Sequence, residues 1–381
     1  MITNDLTSHP ELWQRYRSQF PVLANLTYLN HAAVAPLCKP AADAMRWNAN
    51  DAETWGSFHY DRWMKCYDDF RAQAARMINA EPGEMAIVKN TSEGIATVQM
   101  GLNWQPGDVV VAFREEFPAN YFPWQRLESK GVEVRWLSIY DSLDQIDAAA
   151  KGARLLAISY VNYLSGHRVD LEAIGEICAR HHVFYLVDAI QGLGVYPIDV
   201  RKAKIHALAS DGHKWLLGPE GCGVLYIQQD QQDSIEPVEF GWTNVAGYND
   251  YASRDMALRT DAGRYECGTL NTVGCFGLEA SLRFLNDIEA ECPGGLAQRV
   301  TMLADRLATG AQRRGYELMV DRQPGSAAGI VSFRKQGVDC RMTVAKLRAE
   351  KITTAPRQGW IRVSPHFYLE TAEIDRAIDL L

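Results

Sequence analysis

The stretch Ser210 to Gly221, SDGHKWLLGPEG, decides how this chain is read. It puts one lysine, Lys214, between His213 and a Trp-Leu-Leu run. Apolar segments flank it on both sides, IHALA (205–209) before and CGVLYI (222–227) after. Burying an unpaired ammonium is costly, and a desolvated lysine tends to shed its proton. The neutral amine that results is a nucleophile for carbonyls. A lysine in a loop between two strands can also lift its head into water. The surrounding chain has to distinguish the two.

Working outward, short apolar runs alternate with helical stretches from about Met85 to Ile227. The runs are AIVKN, DVVVAF, VEVRWLSI, RLLAISYV and VFYLVDAI. Between them lie SEGIATVQMGL, NYFPWQRLESKG and DLEAIGEICARHH. This alternation predicts an α/β fold, a mostly parallel sheet sandwiched by helices, with ligands bound at the carboxyl ends of the strands. Residues 11–20 and 40–80 read as helical. After about Gly277 the pattern is mainly helical (GLEASLRFLNDIEA, AQRVTMLADRLATGAQRRG), then a few strands (GIVSFR, WIRVSPH) and a last helix from Thr371. The expected division is a large domain over 21–265 and a smaller α+β domain over 1–20 and 266–381.

The chain has 381 residues, 47% hydrophobic and 23% charged, with a formal net charge of -8. An acidic chain argues against nucleic acid or an anionic membrane as principal partner, since both select a basic face. No run approaches the roughly 20 apolar residues of a membrane span. The opening MITNDLTSHPELWQRY lacks the layout of a secretory signal. The eight cysteines are scattered with no CxxC pair, so neither framework disulfides nor a zinc site is expected, and a cytoplasmic setting follows.

Polar residues cluster where the parallel strands should end. Thr91 and Ser92, in NTSEG, open a helix after the AIVK run, and a helix N-terminus with hydroxyls suits a phosphate. Asn90 with Glu93 would also serve as a plain helix cap. Asp188 ends VFYLVD and could pair with a protonated ring nitrogen, or cap a turn. Gln191 could donate to a ring oxygen. Ser210 and His213 add phosphate donors beside Lys214, and Phe117, after VVVAFREE, could stack on a flat ring. Together these are the equipment for pyridoxal 5′-phosphate (PLP).

In chain order, YLNHAAVAPL, NTSEGI, EFPANYFPW, VDAIQGLGVYPIDV, SDGHKWLLGPEGCGVLYI, RYECGTLN and IRVSPHFY resemble the blocks of the class V aminotransferase-like PLP enzymes. That superfamily includes cysteine desulfurases, selenocysteine lyases, kynureninases and isopenicillin N epimerase-like proteins. The resemblance implies a fold-type I PLP transferase and a homodimer with active sites at the subunit interface. It implies Lys214 as the internal aldimine, Asp188 on the pyridinium nitrogen and Gln191 on the phenolic oxygen. Thr91, Ser92, Ser210 and His213 would hold the phosphate, with Thr269 and Trp242 reaching it from the partner subunit. Phe117 would stack on the ring. Arg362 matches the arginine that grips the substrate carboxylate, and Asn162, His31 and His59 are candidates for the substrate wall.

One departure stands out. Desulfurases and selenocysteine lyases carry a nucleophilic cysteine on a loop shortly before the carboxylate arginine. Here that segment is KITTAPRQGWIRV, short and free of cysteine. The expected activity is therefore that of a PLP enzyme acting on an L-amino acid through an external aldimine, with transamination leading. β-Elimination, C–S lysis or epimerisation without a persulfide is the near alternative. A non-catalytic PLP-binding protein and a nucleotide-binding α/β protein are the remaining readings. The second has only Gly192-Leu193-Gly194 behind it, without a GxGxxG or a P-loop.

Overall fold

The computed structural model describes residues 10–381. Residues 1–9 of the expected small domain lie outside the described residues. Strands in chain order are β1 (Thr27–Tyr28), β2 (Met85–Val88), β3 (Val109–Phe113), β4 (Glu133–Leu137), β5 (Leu155–Ser159), β6 (Phe184–Asp188), β7 (Ala207–Asp211) and β8 (Gly223–Ile227). They continue with β9 (Glu317–Leu318), β10 (Val331–Arg334), β11 (Ile352–Thr353), β12 (Ala355–Arg357) and β13 (Trp360–Val363). Helices are α1 (Pro10–Arg17), α2 (Lys39–Trp55), α3 (Tyr60–Ile78), α4 (Thr91–Gly101), α5 (Phe122–Leu127), α6 (Leu143–Ala150), α7 (Leu171–His181), α8 (Thr272–Glu291), α9 (Gly295–Arg313), α10 (Cys340–Ala349) and α11 (Thr371–Asp379).

The main sheet has seven strands in the order β2-β8-β7-β6-β5-β3-β4. Only β8 runs against its neighbours; the other pairings are parallel. The strands from β5 to β8 are buried throughout, because helices cover both faces and a doubly covered strand can be apolar at every position. Alternation along β3 divides the core in two. Val109, Val111 and Phe113 face the side of α3, α7 and α8, while Val110 and Ala112 face α4 and α5. β4, the edge strand, carries the charges Glu133 and Arg135, which discourage further pairing.

A second, antiparallel sheet, β12-β13-β10-β9, lies in the C-terminal part with α9, α10 and α11. The N-terminal segment joins it: β1 pairs in parallel with β11, and Asn30 bridges Ser364.

Two features differ from the sequence expectation. The helical stretch 40–80 is two helices, because Gly56 adopts φ +59 and ends α2. The segment KITTAPRQGWIRV is not a plain loop but carries β11 and the hairpin β12–β13. The hairpin turns through Gln358 and Gly359, both at positive φ (49 and 84). Helix α6 escaped the periodicity reading because its eight residues offer few apolar positions; a capping box at Ser142 and Gln145 starts it.

Gly175 lets α7 lie directly on the turn that feeds β7. A methyl at this position would sit 1.9 Å from the Ala203 carbonyl oxygen. Backbone cannot give way as a flexible side chain can, so Gly175→Ala is expected to cost about 1–3 kcal/mol of stability, read from the midpoint of chemical unfolding.

Candidate active site

Parallel strands end at one rim, and that rim gathers the chemistry. Asp188 is the last residue of β6 and Asp211 the last of β7; β6 and β7 pair in parallel with Asp188 opposite Ala209. Lys214 lies three residues beyond β7. The loop holding it is pinned by Ala35 N–H to the His213 carbonyl (2.7 Å) and by a turn from Leu217 N–H to the Lys214 carbonyl (3.0 Å). Trp215, fully buried, donates to Gln191 Oε1 (2.9 Å), and Gln191 Nε2 donates to the Ala32 carbonyl (3.0 Å). These bonds tie the lysine loop to the N-terminal segment.

A cavity of about 590 Å³ opens on this rim. Thr91, Ser92, Phe117, Asp188, Gln191, His213, Lys214 and Arg362 all line it. Two other clefts, of about 640 and 680 Å³, hold no lysine and no carboxylate from a strand end, so size alone does not mark the site.

The electrostatics follow from desolvation. Burial pushes the Lys214 amine down to about 8. Asp188 opposes that shift, Arg362 adds to it, and Asp211 and Arg357 contribute with opposite signs. Lys214 Nζ stands 5.7 Å from the centre of the Phe117 ring. Asp188 is 3% exposed, and burial pushes its carboxyl up to about 6 against the Ile190 N–H (3.1 Å to Oδ1) and Lys214. Arg362, 2% exposed, is lowered to about 10 by burial and then by Arg357. Its Nη1 donates to the Tyr163 carbonyl (2.8 Å), while its Nε is buried without a partner.

At the mouth of α4, the Asn90 side chain accepts from Glu93 N–H (2.9 Å), so the cap is present. Thr91 Oγ1 accepts from Asp211 N–H (2.9 Å), which leaves its hydroxyl hydrogen to donate. His213 Nδ1 lies 3.0 Å from Asp211 Oδ2, within ion-pair range but off line for a hydrogen bond.

The remaining sequence-named residues stand apart from the cavity lining. Ser210 is fully buried one residue before Asp211, where alternation turns it to the other side of β7; its hydroxyl donates to the Asp211 carbonyl (3.3 Å). Asn162 donates to the Glu115 carbonyl (2.8 Å) and accepts from the N–H groups of Leu164 and Ser165, bracing its own loop. Both His31 nitrogens are engaged, with the Ser364 carbonyl (2.8 Å) and the Tyr368 hydroxyl (2.7 Å), and burial pushes it down to about 4. It is a neutral brace behind Ala32, Ala33 and Val34, which do line the cavity. His59 begins α3 and pairs with Asp51 (2.8 Å). Trp242 is exposed near Tyr248 and Tyr251, and Thr269 is exposed in a separate cleft with Lys89 and Cys267.

Sequence reasoning passed over Asp211, Tyr163, Arg357 and Glu116. Tyr163 sets its ring edge-on to Phe117 (5.3 Å, 74°). Glu116 is buried, accepts from Ser159 N–H (2.6 Å), and is pushed up to about 8 by burial. The Gln-Gly turn was the available signal for Arg357; nothing local marks Glu116.

The lowered lysine has a direct consequence. In cofactor-free protein, labelling of Lys214 by an amine-directed reagent should be half-maximal near pH 8 rather than near 10.5, because the ammonium below that pH is inert. Asp188→Asn should move the midpoint lower still, by removing the carboxylate that favours the ammonium. Peptide mapping across a pH series reads both, and a wild-type midpoint near 10.5 refutes the desolvated amine.

Comparison with known proteins places the chain in a family. The aminotransferase class-V family matches residues 27–375. A probable cysteine desulfurase of Methanothermobacter thermautotrophicus is 31% identical over 94% of each chain. An uncharacterized aminotransferase of Bacillus subtilis is 29% identical over 96% of each. Among solved structures, the cystine C–S lyase C-DES in complex with its product cysteine persulfide superposes with a TM-score of 0.87 at 24% identity, over 95% of this chain and 98% of that one. That likeness shows a shared fold. The chain belongs to the aminotransferase class-V family of PLP-dependent enzymes.

Proposed function

We propose that this chain is a PLP-dependent enzyme that acts on an L-amino acid, with transamination as its reaction. The observation that carries the reading is the convergence, in one cavity, of a desolvated amine (Lys214), a buried carboxyl on a strand end (Asp188) and a buried guanidinium with no acidic partner (Arg362).

The residues present fit the cofactor. Arg362 Nε is an orphaned donor facing no acid of its own chain, and the Asp188 carboxylate, whose charge burial disfavours, would gain from the counter-charge of a pyridinium. Lys214 would bind the cofactor's carbonyl carbon. Asp188 would keep the proton on the ring nitrogen, Phe117 would cover the ring, and Gln191 would offer its second amide hydrogen. Thr91 and Ser92, at the positive end of α4, and His213 would take the phosphate. Ser210 would support that group from behind, and Trp242 and Thr269 of a second copy would complete it. Their exposure and distance from their own chain's cavity support a homodimer. When bound, PLP supplies an electrophilic carbonyl and a ring that accepts the electron pair released at the substrate Cα.

The protein's own groups do the rest. Arg362 holds the α-carboxylate by its free edge, which fixes the substrate's orientation. Lys214, an amine whose charged form burial disfavours, would take and return the proton at Cα. Phe117 and Tyr163, set edge-on to each other, line the cavity beside the amine. Asn162, His31 and His59 would act through the loops and helix they brace.

β-Elimination or C–S lysis is the second reading. No cysteine lines the cavity, so such a reaction would release its sulfur product without a protein persulfide. No observation favours the epimerase or non-catalytic readings. No helix among the described residues is long and apolar enough to cross a membrane. All eight cysteines are free thiols, which supports a cytoplasmic setting. The division into 21–265 and 1–20 with 266–381 belongs to the same proposal.

Borohydride reduction of the holoenzyme should leave a pyridoxyl mass on the peptide containing Lys214, and on no other. Lys214→Ala should lose that adduct and at least ~10²-fold in turnover. An amino-acid panel then sorts the reaction: keto acid formed only with a keto-acid acceptor marks transamination, whereas ammonia released without an acceptor marks elimination. A holoprotein without the Lys214 adduct refutes the PLP reading altogether.

A further inference from the structure

The hairpin that carries Arg362 bears a second arginine. β12 pairs with β13 so that Ala355 faces Arg362 and Arg357 faces Trp360. Residues opposed across an antiparallel pair share a face, and so do alternate residues of one strand. Arg357 and Arg362 are therefore on one face as diagonal neighbours, about 7–8 Å apart between Cα atoms. Both line the cavity that holds Lys214.

Like charges so placed repel, and the structure does not neutralise them. Arg362 is buried with only the Tyr163 carbonyl on Nη1 and nothing on Nε. Arg357 is exposed and forms no ion pair among the described residues. Two other guanidiniums sunk in the protein meet a carboxylate, Arg71 with Glu266 (2.6 Å) and Arg322 with Asp305 (2.6 Å), whereas Arg299, like Arg362, has only backbone carbonyls. The repulsion is also felt at the cavity floor, where Arg357 joins burial in lowering both Arg362 and Lys214.

The pair is held firmly. Gln358, a non-glycine residue at φ 49, donates from Nε2 to the Tyr163 hydroxyl (2.8 Å). Tyr163 in turn packs against Phe117 and accepts from Arg362. One tyrosine thus anchors both the turn and the buried arginine over the amine. A substrate whose α-carboxylate takes Arg362 would carry its side chain within reach of the hairpin. Thr91 and Ser92, which would take the phosphate, open α4 on the main sheet, whereas Arg357 stands on the hairpin of the second sheet.

We propose that Arg357 is a specificity residue that binds a second carboxylate, and that the substrate is a dicarboxylic L-amino acid whose α-carboxylate is held by Arg362. The proposal rests on the PLP reading above. A neutral side chain would displace the water around Arg357 and return nothing, whereas a carboxylate forms a charge-assisted pair as it enters.

Calorimetry on the PLP-loaded enzyme with succinate and butyrate, which share a chain length but differ by one carboxylate, isolates the second site. Succinate should bind at least ~10-fold more tightly than butyrate, a ratio that Arg357→Gln brings close to one and Arg357→Lys restores in part. In steady state, Arg357→Gln should raise KM for acidic amino acids at least ~10-fold more than KM for their amides. Equal binding of succinate and butyrate by the wild type, binding of neither, or a ratio unchanged in Arg357→Gln would overturn the proposal. Failure of the underlying reading shows separately, as the missing pyridoxyl adduct on Lys214.

Discussion

Burial of an amine and a carboxyl at neighbouring ends of two parallel strands is the constraint on which this protein depends. Low-dielectric surroundings push each group toward its neutral form, Lys214 down to about 8 and Asp188 up to about 6. Each opposes the other's shift. Each therefore keeps its charge near neutral pH against the cost of its burial, with the other as its counter-charge. Such a balance requires β6 and β7 to stay in register, which the continuous apolar strands and the helices on both faces enforce.

The rim is closed from above by a different part of the chain. The antiparallel sheet delivers the hairpin with Arg357 and Arg362, and the N-terminal segment is threaded between the two sheets. A hydrogen-bonded line from Trp215 through Gln191 to Ala32 joins the lysine loop to that segment. His31, bonded to Ser364 and Tyr368, joins the segment to the C-terminal part. A histidine that looks like an active-site residue in the sequence is thus a neutral strut, and its contribution to the site is the position of Ala32 to Val34.

The segment before Arg362 carries no cysteine. Where a loop long enough to deliver a thiol would be needed, a two-residue turn closes the strands at once. The face that results presents guanidiniums rather than sulfur, as the proposed recognition of carboxylates would require.

The fold class was legible in the sequence because alternation of apolar runs with helical stretches is a local property, and local properties survive without knowledge of neighbours. The same holds for Lys214, Asp188 and Thr91, each marked by its place near the end of a strand or at the start of a helix, whereas Arg362, inside β13, was named through the family resemblance. Glu116 and Tyr163 were not legible, since their roles come from what packs on them, Ser159 on Glu116 and Phe117 on Tyr163; for Arg357 the Gln-Gly turn signalled a hairpin, but only the cross-strand register put it beside Arg362. His31, Asn162 and Ser210 were read as ligand contacts because their residue types suit that task. Only the tertiary structure showed that the Ser364 carbonyl and the Tyr368 hydroxyl already occupy His31, that backbone groups occupy Asn162, and that strand alternation turns Ser210 away. The sequence by itself determined the sheet, its ligand rim and the amine on it. The tertiary structure decided which polar groups remain free to meet a ligand, because freedom from partners depends on contacts between segments far apart in the chain.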